Sequence, residues 1–169
     1  MFSRIFITLL TACIVACGFH LRGNIPLPKG LSPMYVATST PYDPLVQSIE
    51  SMLTASNIEL TDSPKNANTT LRILDIQTSE NLISVAASTN TRQYTLSETL
   101  RMELTGKKGK VIIPVSALTA SNPLTVESNE VLNASAQKQT LTGEMQQSLV
   151  QQLMIRLGSR DTERSLASK

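Results

Sequence analysis

The stretch Gln93 to Leu104, QYTLSETLRMEL, places Tyr94, Leu96, Leu100, Met102 and Leu104 on even positions and Gln93, Thr95, Ser97, Thr99, Arg101 and Glu103 on odd ones. A period of two over a dozen residues is the signature of a strand with one buried and one wet face. Gly106-Lys107-Lys108-Gly109 then turns the chain, and Val111, Ile113 and Val115 resume the alternation, which predicts an antiparallel hairpin. Pro114 cannot donate to a ladder, so the second arm is expected to be an edge strand or to carry a bulge.

Upstream, Met34 to Thr38 reads as a short strand closed off by Pro41 to Pro44. Asp43 is placed to cap a helix with Pro44 in its first turn, and Leu45, Val46, Ile49, Met52 and Leu53 supply the apolar stripe. Ile58 to Leu60 and Thr69 to Gln77 read as extended, with a loop at Asp62 to Asn68. Downstream of Asn129 the period becomes helical, with Leu141, Met145, Leu149, Leu153 and Leu157 in an i+4 ladder that Gly158 ends. Strand, helix, antiparallel strands and helix imply an α+β two-layer sandwich, two helices packed on one face of a four-stranded mixed sheet.

The amino terminus reads as a targeting signal. Arg4 precedes the uncharged run Ile5 to Ala16, too short to cross a hydrocarbon core of roughly 30 Å, and residues 1–16 are read as a signal peptide. Ile14-Val15-Ala16-Cys17 resembles a bacterial lipobox, with cleavage between Ala16 and Cys17 and with S-diacylglycerol and N-acyl modification of Cys17. Gly18, where Asp would retain a lipoprotein at the inner membrane, points to the outer membrane. One acyl chain gives only about 10⁴ M⁻¹ of membrane affinity, so several chains on Cys17 make a permanent tether. The Pro- and Gly-rich residues up to Pro33 read as a lipid-anchored leash over 17–33, leaving 34–158 as the single domain and 159–169 as a disordered, charged tail.

Composition excludes several functions. Fifteen Lys and Arg against thirteen Asp and Glu cannot make the long basic surface of a duplex-binding protein, so nucleic acid is not expected as a partner. With 19 Ser, 19 Thr, 9 Asn and 9 Gln the surface is neutral and polar, and the absence of Trp leaves few rings for stacking on bases or sugars. Once Cys13 leaves with the signal and Cys17 is modified, no thiol remains for a disulfide. The single histidine, His20, lies three residues from the anchor, no zinc set or phosphate-cradling loop can be assembled, and no enzyme, metal or cofactor is expected. Glu98 is the anomaly, a carboxylate among the apolar even positions, and is read as a strand-edge or ion-paired group.

Cys17-Gly18-Phe19-His20-Leu21-Arg22, the Pro-rich leash, the order of elements and the helix from Glu144-Met145 to Arg156-Leu157 resemble the lipopolysaccharide-assembly lipoprotein LptE (RlpB) family over nearly the whole mature chain. The resemblance implies a non-enzymatic outer-membrane subunit on the periplasmic side. Such a subunit pairs one-to-one with the β-barrel LptD, plugs its lumen, assists its assembly and helps deliver lipopolysaccharide. It also implies lipopolysaccharide contacts through bases before the third strand and before the last helix, where the first bases in this chain are Arg92 and Lys138. Lys107, Lys108 and Lys110 form the densest basic cluster and are further candidates for lipid A phosphates, or else solvate a hairpin tip. The alternative class, a tethered amphiphile carrier, needs a deep apolar cavity.

Overall fold

The computed structural model describes residues 26–86, 91–127 and 131–168. A 3-10 turn at Lys29–Leu31 leads into β1 (Met34–Ala37), α1 (Pro44–Ala55), β2 (Thr69–Ala86), β3 (Thr91–Gly106), β4 (Val111–Glu127), α2 (Val131–Leu157) and a short α3 (Arg160–Ala167). The sheet order is β1-β2-β3-β4, with β1 parallel to β2 and the other pairs antiparallel. This is the expected α+β sandwich, with α1 and α2 on one face of an open, mixed four-stranded sheet.

The alternation in β3 decides which face is which. Leu96, Leu100, Met102 and Leu104 are buried and pack with Leu45, Val46, Ile49 and Leu53 of α1 and Met145, Leu149, Leu153 and Leu157 of α2. Asp43 caps α1 by accepting a hydrogen bond from the Leu45 amide at 2.8 Å, and Pro44 fills the first helical position, where no amide is needed. Met52 departs from the expected stripe: it is 40% exposed, whereas Met102, Met145 and Met154 are core. On the opposite face the odd residues of β3 pair across the strands, Ser97 with Ser121 at 2.9 Å, Thr99 with Thr119 at 3.0 Å and Glu103 with Arg72 at 2.8 Å.

The β3–β4 turn closes with the Gly106 amide donating to the Lys110 carbonyl, and Lys108 and Gly109 adopt left-handed backbone at φ 59° and 76°. Beyond the turn the expected inward set is corrected. Val111 and Val115 are half exposed, while adjacent Ile112 and Ile113 are buried. The reason is a pair of register shifts, with Met102 opposite Ser116, Leu104 opposite Ile113 and Thr105 opposite Val111. Pro114, unable to donate, sits in the first of these bulges on an edge strand.

Two expected boundaries also move. The 17–33 leash does not extend to Pro33: Leu31 is fully buried, its carbonyl accepts from Thr69 Oγ1 at 2.6 Å, and the Pro33 carbonyl accepts from the amides of Asn68 and Thr69. The leucines between the prolines give this segment a core contact that its backbone composition hides. Likewise the described part of the expected tail, 159–168, is not disordered. Ser159 caps α3, Asp161 and Glu163 fill its first turn, Thr162 is buried with its hydroxyl donating to the Arg156 carbonyl at 2.9 Å, and Leu166 packs against the core.

Candidate functional site

The candidate residues fall at two ends of the sheet. In register, Met34 lies beside Thr69 and Thr69 beside Gly106, so Lys107, Lys108 and Lys110 share the end at which the chain enters the domain. Arg92 lies at the other end of β3, opposite Val85 and Val126. Fifteen residues of strand separate the two ends by roughly 45 Å, so these bases cannot form one site.

At the far end, Arg92 stands on the helix-side face of β3, and Lys138 on α2 meets Glu80, which is opposite Leu96 on that same face. The structure therefore brings Arg92 and Lys138 to one end and one side. Lys138 is engaged with Glu80 and also lines an open cleft of about 570 Å³ with Pro44, Ser135, Gln139, Thr142 and Gln146. Next to it the Asn122 amide donates to Glu144 at 3.1 Å.

Of the three turn lysines, Lys110 is committed elsewhere. Its ammonium donates to the Ser165 carbonyl at 2.9 Å, to the Ser168 hydroxyl at 2.8 Å and to the Ser168 carbonyl, closing the last turn of α3. Lys107 and Lys108 are exposed. Ala16, Cys17 and His20 lie outside the described residues.

Among the described residues Glu98 has no ion pair, and it is not at an edge. It sits on the central strand β3, 3% exposed, between Thr78 and Ala120, and its Oε2 has no hydrogen-bond partner. Burial pushes its carboxyl above the ordinary value of 4.5, a hydrogen bond with Gln146 of α2 pulls the other way, and the Asp43 carboxylate at the start of α1 adds to the upward push. The sign of the stability effect follows. The folded state holds this proton more tightly than the unfolded chain, so the contribution is fully present below the ordinary carboxylate pKa and is lost as pH rises through the folded value. Glu98→Gln is expected to raise stability at pH 7 by about 1 kcal/mol and to flatten its pH dependence above the ordinary carboxylate value. Thermal melting across pH checks it, and an unchanged slope in the variant refutes it.

A family model for lipopolysaccharide assembly, LptE, matches residues 31–157. The chain belongs to the LptE family. The LPS-assembly lipoprotein LptE of Pectobacterium atrosepticum is 27% identical over 180 residues, covering 99% of this chain and 95% of that protein. That of Yersinia enterocolitica is 28% identical over 163 residues, covering 92% and 78%. In fold, the chain is similar to lipoprotein B from Nitrosomonas europaea, with a TM-score of 0.70 at 17% identity over 87% of this chain and 96% of that one. The LptE match begins at Leu31, the residue with which the 3-10 turn enters the core. It ends at Leu157, so α3, with the Ser165 and Ser168 that Lys110 bonds, lies beyond the matched region.

Proposed function

We propose that this LptE-family chain is an outer-membrane lipoprotein, cleaved after Ala16 and acylated at Cys17. In this reading it faces the periplasm, forms a one-to-one complex with the β-barrel LptD and assists assembly of that barrel and delivery of lipopolysaccharide to the outer leaflet. It acts by binding and shaping, not by catalysis.

Beyond the family relationship, the observation that supports a plug is the uncovered face of the sheet. Thr91, Gln93, Thr95, Ser97 and Thr99 face out from β3, flanked by Gln77, Ser79, Asn81 and Ser84 on β2 and by Thr119, Ser121 and Thr125 on β4. A face that bears mainly hydroxyls and amides, with its charges at the two ends and Arg72 paired to Glu103, suits a polar barrel lumen: its middle exchanges hydrogen bonds with the wall and brings no ion that would have to be desolvated.

Extraction of the envelope in mild detergent, followed by purification of the processed chain, is expected to yield a large β-barrel in equal amount. Ser97→Glu with Thr99→Glu, at half-buried positions on the uncovered face, should abolish that recovery while leaving the domain folded. Cys17→Ser should accumulate as uncleaved precursor. An acylated, processed chain recovered free of any barrel overturns the plug reading.

A further inference from the structure

Charge is segregated along the long axis of the domain. Four separate segments meet at the end where the chain enters: 27–33, 57–68, 106–110 and 156–168. Register joins Met34, Thr69 and Gly106, the Met34 amide donates to Glu59, Leu166 lies 3.8 Å from the place of a Cβ on Gly30, and Lys110 holds the end of α3. Those segments contain eight Lys or Arg and four Asp or Glu, whereas the remaining described residues contain four Lys or Arg and eight Asp or Glu. A nearly neutral chain is thus folded into a basic pole and an acidic body.

The basic pole is not neutralised internally. Among the described residues no ion pair engages Lys29, Lys65, Lys107, Lys108, Arg156 or Arg160, all of them exposed, and Arg164 reaches Asp161 only at 3.8 Å. Blunting of a strand edge accounts for turn lysines, but Lys29, Lys65, Arg156 and Arg160 lie on no strand. Like charges gathered from four distant segments repel one another, and an anionic surface outside the protein relieves that repulsion.

We propose that this pole docks on an anionic phospholipid surface. The proposal rests on the reading of Cys17 as the lipid anchor for its geometry. Only nine residues lie between Cys17 and Leu27, so the anchor can stand no more than about 35 Å from the pole, and the basic end is the one held toward the bilayer. Headgroup phosphates would meet the lysines as point charges, adding a second membrane signal to the acyl tether.

The test uses the full mature chain with Cys17→Ser, which removes the acyl anchor, and vesicles of phosphatidylcholine alone or with about a third phosphatidylglycerol. Binding is expected only with the anionic lipid and should fall steeply with salt. Lys107→Gln with Lys108→Asn, Asn being tolerated at the left-handed position, should weaken it about 25-fold at unchanged melting temperature, at roughly fivefold per charge. Arg101→Ala, on β3 outside the four segments of the pole, should leave it unchanged. Equal binding to neutral vesicles, or full binding by the double variant, overturns the proposal. So does capture by neutral vesicles carrying lipopolysaccharide but not by phosphatidylglycerol, which would reassign the pole to lipid A. Fatty-acid labelling of the wild-type chain reads the anchor separately: a missing label with vesicle binding intact removes the tether and keeps the surface.

Discussion

Leu31→Ala is expected to destabilise the domain by about 3 kcal/mol, as much as removal of a leucine from the centre of the sheet. Leu31 is fully buried although it lies in a stretch of chain rich in proline and glycine. Its side chain joins the cluster of Met34, Leu45 and Leu157, and its carbonyl receives the buried Thr69 hydroxyl. Truncation leaves a cavity that the 3-10 turn cannot close, because the neighbouring backbone is held: the Leu31 amide donates to the Pro28 carbonyl and the Asn68 side chain to the Ser32 carbonyl. Urea unfolding of the variant measures the loss. A change below about 0.5 kcal/mol, the usual range for exposed positions, would return residues 29–33 to the leash.

The elements legible in the sequence were those where one strong period ran uninterrupted. The even positions of β3 and the i+4 ladder of α2 each had a single buried face, and a single face suffices to set both the element and its partner layer. The outer halves of β2 and β4 were not legible. From Gln77 to Val85 every residue of β2 is exposed, with Leu82, Ile83 and Val85 among them, so neither face imposed a pattern. That part of the strand is specified chiefly by its ladder to β3, with the Glu80–Lys138 ion pair beside it. At Val111 to Val115 a period was present but was broken by two bulges, each of which reverses the face of the side chains that follow it.

The candidate site was legible in part. The bases were visible as residues, but their grouping depends on register. Only the pairing of Thr69 with Gly106 and of Val85 with Arg92 separates the turn lysines from Arg92 and Lys138. The burial of Glu98 was signalled by its even position. Its lack of an ionic partner was not, because the groups that matter, Gln146 and Asp43, arrive from both helices. The segregation of charge was invisible for the same reason, since its four segments are distant in sequence.

Ending the chain at Gly158 is expected to cost about 2 kcal/mol and to lower the melting temperature by several degrees. A charged tail would change nothing when removed, but α3 covers groups that α2 cannot cover by itself. The last carbonyls of any helix lack intrahelical donors, and Thr162 supplies one to Arg156 at 2.9 Å from a buried position. Leu166 of this segment packs against the core and lies beside Gly30. Lys110→Ala should cost less, about 0.5 kcal/mol, because its bonds to Ser165 and Ser168 are exposed and the ammonium regains water when released. The order of the two effects separates the contributions: if Lys110→Ala equals the truncation, the clamp carries α3, and if it is smaller, apolar burial by Leu166 does. The truncated chain should also lose vesicle binding, because Arg160 and Arg164 leave with α3 and the turn at Lys29 to Leu31 is no longer held beside Lys107 and Lys108.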